Sequence, residues 1–426
     1  MLDIKELRAE PERARERLSR RGDPEVLELL DEALEQDRRR REILDEVEDL
    51  RALRNETSEE IGRRKREGED ASDLIEEMRD VKARIDLLDD DLADVEAALR
   101  SALLRIPNVP HPRVPEGDED AFEVLAEHGD RPSFEFEPLP HWELGERLGV
   151  LDLDRGAKVA GSGFPVLTGG LARLQRGLAA FMIDLHRDEH GYREVTPPYL
   201  VNRESMLGTG HLPKFERDAY RTDPDDLFLV PTAEVPVTNL HRDEILEPGT
   251  LPVAYVACTP CFRREAGSAG RDTRGMLRVH QFDKVELVRL ERPEESEEAL
   301  ETLTGHAERV LELLGLPYRR ILLSTGDLGF GNAITYDLEV WAPGVGEWLE
   351  VSSCSLYGDY QARRAGVRYR PAPGVGPEHV HTLNGSGVAL ARTLVALLEN
   401  GQDGDGGVSL PGPLHPYVGR ERLEVP

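Results

Sequence analysis

Between Thr259 and Glu286 the chain reads TPCFRREAGSAGRDTRGMLRVHQFDKVE. Arg263, Arg264 and Glu265 head a run of glycines and arginines (Gly267, Gly270, Arg271, Arg274, Gly275). An alternating segment follows through Arg278, His280, Phe282, Lys284 and Glu286. Two strand-like flanks around a basic, glycine-rich tip predict a hairpin able to close over a polyphosphate. A guanidinium on a rigid flank forks onto phosphate oxygens, as phosphoryl or nucleotidyl chemistry requires. A merely exposed basic hairpin would have no need of Glu265 and Glu286 beside those arginines.

The remaining chemistry is bounded by composition. Cys258 and Cys261 form a CxxC, but Cys354 is the only other cysteine, too few for a disulfide framework or a four-cysteine zinc site. Reduced structural thiols are expected. The 426 residues suffice for two or three domains. No apolar run approaches the ~20 residues that span a bilayer. The start, MLDIKELRAEPERARER, lacks the apolar core of a secretory signal. A cytoplasmic enzyme without a membrane partner is expected. The net charge of −30, from 84 acidic and 54 basic residues, argues against nucleic acid unless basic surface is local. Lysine is scarce, six of the 54 basic residues, which fits either a GC-rich genome or a salt-tolerant acidic surface.

The elements that must carry this chemistry fall into two textures. Residues 1–105 are helix formers and charge. Apolar residues recur at Leu74, Met78, Val81, Ile85, Leu88, Leu92, Val95 and Leu99, an unbroken heptad stripe. A looser stripe, Ile43, Val47, Leu50 and Ile61, precedes it, with Arg54 and Thr57 in the gap. The spacing predicts helices over about 37–66 and from Ser72 onward, with Ser72 as N-cap, forming an antiparallel coiled-coil arm. From Asp37 to Glu67 there are ten basic and ten acidic residues, and Arg63, Arg64, Lys65 and Arg66 cluster at the turn. Such a cluster suits a nucleic-acid backbone or simply the C-terminal end of a helix dipole. Prolines over 106–120 end the arm. Beyond them, strand-like runs 227–232, 254–262, 336–342 and 347–355 alternate with helices and Gly/Pro loops, predicting an antiparallel α+β domain over 106–426. Gly161-Ser162-Gly163 lacks the strand–loop–helix setting of a dinucleotide loop.

Taken together, hairpin, arm and C-terminus resemble the bacterial-type seryl-tRNA synthetases, a class II aminoacyl-tRNA synthetase family, over essentially the whole chain. GYREVTPPYLV (191–201) looks like the first class motif, the hairpin from Thr259 like the second, and HTLNGSGVALARTLVALLEN (381–400) like the third. The resemblance implies a six- or seven-stranded antiparallel catalytic sheet and a homodimer. It also implies ATP with Mg2+, L-serine activation, and transfer to tRNA(Ser) gripped by the arm; the selenocysteine tRNA stays open as a second acceptor.

By the same resemblance Arg263, Glu265 and Arg392 are catalytic. Arg263, Arg264, Glu265, Arg278, Val279, Phe282, Glu350, Val351, Ser352, Ser353 and Arg392 hold ATP, with Phe282 stacked on adenine. Glu350 and Ser353 take the Mg2+. Thr232, Ala233, Glu234, Arg263, Glu286 and Ser386 hold serine, Thr232 and Glu234 at the ammonium, Glu286 and Ser386 at the hydroxyl. Arg63, Arg64, Lys65 and Arg66 face the tRNA. The zinc of the archaeal variant is not expected. Ala391, Ile334 and Leu356 depart from the family's usual residues without touching these roles. Two other classes compete: an amino acid:carrier-protein ligase, which would lack the arm, and a degenerate synthetase acting as a regulator, which would lack Arg263, Glu265 or Arg392.

Overall fold

The computed structural model describes residues 1–265 and 274–425. The chain divides into two compact units, Met1–Pro107 and Asn108–Pro426. In the first, α1 (Glu25–Glu67) and α2 (Ser72–Arg105) pair along their length. At 1.5 Å per residue they run about 65 and 50 Å. The stripe read in α2 is the buried seam: Val81, Ile85, Leu88, Val95 and Leu99 are buried, while Leu74, Met78 and Leu92 are half-buried.

Two expectations are corrected. Helix α1 starts at Glu25, not near 37, because Val26, Leu29, Leu30 and Ala33 continue its apolar face, on which two short N-terminal helices pack. Ser72 is the first helical residue rather than the cap. The Asp70 carboxylate accepts from its N–H at 3.0 Å and its hydroxyl at 2.7 Å. Gly68 ends α1 at φ 78°, where a side chain would be strained. Arg40–Glu96, Arg84–Glu46 (2.8 Å each) and Arg105–Glu32 (2.9 Å) pin the pairing between helices. Exposed pairs contribute about 0–1 kcal/mol each, so the apolar seam carries the stability.

The second unit is built on one sheet. Its strands are β1 (Glu123–His128), β2 (Arg193–Glu194), β3 (Val253–Phe262), β4 (Gln281–Glu291), β5 (Tyr318–Leu322), β6 (Ile334–Ala342), β7 (Glu347–Gly358) and β8 (His381–Ala389). The order is β1-β5-β6-β7-β8-β4-β3-β2. Among the first seven in that order every neighbouring pair is antiparallel, as the resemblance implies. The eighth, β2, runs parallel to β3 at the edge, Arg193 opposite Tyr255, and two prolines (Pro197, Pro198) follow it closely. Helices α3 (Gly169–Asp188), α5 (Ser296–Leu314) and α7 (Leu390–Gly401) bury Leu174, Leu178, Leu300, Leu303, Leu394 and Leu398 in the main core. Two shorter helices, α4 (Glu234–Thr238) and α6 (Tyr360–Ala365), sit near the strands that carry the site.

Register decides which side chains share a face. Phe282, Lys284 and Glu286 alternate along β4 and so point the same way. Glu350 and Ser353 are three residues apart, which a regular strand would split between faces. A bulge sits there instead, with Glu350 opposite Glu339 but Ser352 opposite Leu338, and restores them to one side. A second bulge leaves Gly387 unpaired between Ser386 and Val388.

Candidate active site

A cleft of about 310 Å³ opens on the strands β4, β7 and β8. It gathers Thr232, Glu234, Arg263, Glu265, Arg278, Val279, Phe282, Glu350, Ser353, Ser386 and Arg392 from positions up to 160 residues apart. Glu286 is fully buried beside it. Not every expected residue presents a side chain. Ala233 and Val351 are core, and the Ser352 hydroxyl donates to the Ser386 carbonyl at 2.6 Å. Arg264 is exposed, its N–H bonded to the Asp218 carbonyl. Gly267, Gly270 and Arg271 lie outside the described residues.

One end of the cleft is cationic. Arg392, near the start of α7, donates through Nε to the Leu277 carbonyl at 3.1 Å and through Nη1 to the Glu350 carbonyl at 2.8 Å. Arg278 pairs with Glu265 at 3.6 Å, and Glu265 holds a left-handed φ of 48° that a non-glycine residue seldom adopts. The Arg263 guanidinium lies 5.3 Å from the Phe282 ring centre. The return limb of the hairpin is fixed from beneath. Glu399 accepts from His141 Nδ1 at 2.9 Å, so His141 Nε2 carries the lone pair that accepts the Met276 N–H at 2.9 Å. Gly275 precedes it at φ 71°, and a Cβ there would lie 2.1 Å from His141 Nε2. Arg263, Arg278 and Arg392 thus line one end of the cleft, a charge pattern able to hold a polyphosphate.

The other end is a small polar chamber. Glu234 Oε1 accepts from Gln361 Nε2 at 2.5 Å, and its Oε2 from Asn384 Nδ2 at 3.1 Å. Asn384 Nδ2 also donates to Glu286 Oε1 at 2.6 Å, and its Oδ1 accepts from the Tyr357 hydroxyl at 2.9 Å. Glu286 Oε2 forms an ion pair with Lys284 but has no hydrogen bond. Burial and the Glu286 charge push the Glu234 carboxyl up to about 7. Thr232 Oγ1 accepts the Glu234 N–H at 3.3 Å. His211 closes the chamber. Burial, then Arg263, Lys284 and Arg364, lowers its imidazole to about 3, so it stays neutral. This chamber suits a compact molecule carrying both an ammonium and a hydroxyl.

Between the two ends stand hard oxygen donors. Burial works against ionising Glu350, but the charges of Arg392 and Arg263 outweigh it and hold the carboxyl low. Asp337, beneath it, is pushed well up by burial and by the Glu350 charge, and its Oδ1 has no partner. Ser353 donates to Glu350 Oε1 at 3.3 Å. The cysteines are elsewhere in character: burial raises Cys258 and Cys354 to about 12 and also raises Cys261, so no thiolate is on offer. In the arm, Arg63 is paired with Glu60 and Glu67, and Arg64 with Glu60 and Asp73. No ion pair engages Lys65 or Arg66 among the described residues.

His141, His211, Asp337, Tyr357, Gln361 and Asn384 were not anticipated from the sequence, and Lys284 was read only as part of the alternating segment. Lys284 carried a readable signal, since it alternates with Phe282 and Glu286 on one strand.

Comparison with known proteins gives concordant matches. The model of the seryl-tRNA synthetase N-terminal domain matches residues 1–110, and that of the class II tRNA synthetase core domain (G, H, P, S and T) matches 214–401. The chain is 54% identical over 428 residues to the serine–tRNA ligase of Exiguobacterium sp. (strain ATCC BAA-1283 / AT1b), and 56% identical over 427 residues to that of Geobacillus sp. (strain WCH70). Each alignment covers all of both chains. The crystal structure of seryl-tRNA synthetase from Pyrococcus horikoshii complexed with ATP superposes with a TM-score of 0.96 at 39% identity, again over the whole of both chains.

Proposed function

Because the chain belongs to the seryl-tRNA synthetase family, we infer that it is a serine–tRNA ligase, activating serine with ATP and passing the seryl group to tRNA. The observation that carries this reading is the buried Glu286 carboxylate, linked through one amide to Glu234 in the same cleft as Arg263, Arg278 and Arg392. The same geometry disfavours a degenerate regulator, which has no use for a chamber so fully wired.

Each step follows from the residues. ATP lies in the cleft with its phosphates among Arg263, Arg278 and Arg392 and its adenine against Phe282. Serine enters with its ammonium on Glu234 and Thr232 and its hydroxyl donating to Glu286 Oε2, beside Ser386. Its carboxylate, already a nucleophile, attacks the α-phosphorus. The new O–P bond forms as the bond to the β-phosphate oxygen breaks and pyrophosphate departs. Arg263 stabilises charge gathering on the α-phosphoryl oxygens, an effect of about 3–4 kcal/mol for a well-aimed donor. A tRNA ribose hydroxyl then attacks the seryl carbonyl carbon; the ester bond forms as the carbon–oxygen bond to the phosphate breaks, and AMP leaves with the hydroxyl proton. Backbone atoms of Ala233, Val351 and Ser352 can serve as contacts, since their side chains do not reach the cleft.

The hard oxygens of Glu350 and Ser353, with the orphaned Asp337 Oδ1 behind them, fit Mg2+ as a donor set. Held there, the ion would neutralise phosphate charge. The arm, residues 1–105, would receive tRNA(Ser), with Lys65 and Arg66 the available cations and Arg63 and Arg64 needing to exchange carboxylates for phosphates. A homodimer working in the cytoplasm completes the reading.

Serine-dependent ATP–pyrophosphate exchange without tRNA tests it, with threonine, alanine and glycine as controls. Exchange with serine alone is expected. No exchange with any amino acid from folded protein and magnesium would remove the enzymatic reading.

A further inference from the structure

We propose that Asn384 couples the two carboxylates that read the amino acid, and that this coupling sets the preference for serine over its deoxy analogue, alanine. The inference rests on the reading of the chamber given above. Asn384 reaches from β8 between Glu234 on α4 and Glu286 on β4. Its two amide hydrogens are spent one on each, at 3.1 and 2.6 Å. Its carbonyl is held by the Tyr357 hydroxyl at 2.9 Å. The reversed amide would aim its oxygen at two carboxylates, so the network itself fixes the orientation. Among the described residues no other side chain is bonded to both acids.

The physical consequence is asymmetric. Two carboxylates bonded to one amide in a buried chamber repel each other, and Glu286 already helps to raise Glu234. The shared donor stabilises the Glu234 carboxylate and fixes the spacing between the ammonium acceptor and the hydroxyl acceptor. Without it, Glu234 protonates more readily and every amino acid loses part of its ammonium contact. Glu286 also loses one of its two holds, leaving only the Lys284 ion pair to place the carboxylate, a loss felt only by a substrate with a hydroxyl. Serine therefore suffers twice and alanine once. Asn384 acts here as a positioning residue for both readers.

The test is ATP–pyrophosphate exchange at saturating ATP with serine and with alanine, for the natural protein and for Asn384→Ala, Glu286→Gln, the double variant and Tyr357→Phe. Asn384→Ala is expected to lower serine kcat/KM on the order of 100-fold and alanine kcat/KM about tenfold, chiefly through KM, so the serine:alanine ratio falls about tenfold. In the Glu286→Gln background the same change should cost serine and alanine alike, because coupled sites are non-additive. The acid limb of serine KM against pH should move upward in Asn384→Ala. An unchanged ratio, or effects of Asn384→Ala and Glu286→Gln that simply multiply, overturns the proposal. Should Asn384→Ala not fold, Tyr357→Phe decides. Freeing the amide carbonyl is expected to lower the ratio roughly threefold, and the natural ratio there counts against the coupling. Absence of serine exchange in the natural protein would instead undo the reading on which the proposal rests, a separate outcome.

Discussion

At the residue scale, the proposed selectivity for serine turns on one carboxylate. Glu286 Oε1 is taken by Asn384, whereas Oε2 is ion-paired with Lys284. A chamber built to bond a hydroxyl rejects the analogue lacking it, because its own polar group stays unpaired. Glu286→Ala is therefore expected to lower serine kcat/KM in exchange by on the order of 10²-fold or more while alanine moves less than about threefold. Equal losses for both would show that Glu286 serves the fold instead. Glu234 sets a pH dependence. Its carboxyl titrates at about 7, and only the ionised form binds an ammonium, so serine KM falls as pH rises through 7 and then levels. The same group burdens the fold. Its native value lies above the ordinary 4.5, so the native state holds the proton more tightly than the unfolded chain. Stability is then fullest below 4.5 and declines as pH rises through about 7, by roughly 3 kcal/mol. Glu234→Gln should melt a few degrees higher at pH 8, equal to the natural protein near pH 4, and lose exchange. Identical melting at pH 8 would place the burden elsewhere.

At the scale of elements, the hairpin works because other elements hold its return limb. The buried Glu399 on α7 fixes His141, His141 fixes Met276, and the neighbouring Leu277 carbonyl holds Arg392 on the same helix. His141→Ala removes the acceptor for a buried N–H and the partner of a buried carboxylate, each costing about 1–3 kcal/mol. The arginine-lined end of the cleft should loosen: ATP KM rises about tenfold while serine KM shifts little. A parallel rise in both constants would indicate collapse of the cleft as a whole. This dependence explains what the sequence made legible. Arg263, Glu265, Phe282 and Glu286 sit on one hairpin, where period-two alternation and charge expose the chemistry directly. Asn384, Gln361 and Tyr357 acquire their roles only when β8, α6 and β7 converge on Glu234, across separations of 150, 127 and 123 residues, which no local pattern encodes. His141 stood in an ordinary loop-to-helix stretch for the same reason. The heptad of α2 was legible because it is regular. The start of α1 was not, since Val26, Leu29, Leu30 and Ala33 belong to a stripe shared with short helices.

At the scale of the whole molecule, charge poses the remaining problem: a protein of net charge −30 must attract a polyanion. Even residues 1–107 hold 33 acidic against 22 basic residues, so no long-range field draws RNA to the arm. Contact must come from local clusters, and the free pair Lys65 and Arg66 is the least costly, because Arg63 and Arg64 must first leave their carboxylates. Removing residues 38–98 should therefore leave serine-dependent exchange intact and abolish tRNA charging; unimpaired charging would refute the arm's role. Salt separates the two activities further. Phosphate contacts release counterions, so the logarithm of tRNA affinity falls linearly with the logarithm of salt concentration, whereas serine is zwitterionic and held in a buried chamber. Between about 50 and 200 mM KCl, tRNA KM should rise about tenfold or more while serine KM stays within about twofold. Replacing Lys65 and Arg66 together by alanine should reduce that slope by about two, one per lost phosphate contact. An unchanged slope would move the RNA contact to other cations of the chain. Salt should also raise the melting temperature of the free protein, because screening relieves the self-repulsion of its acidic surface.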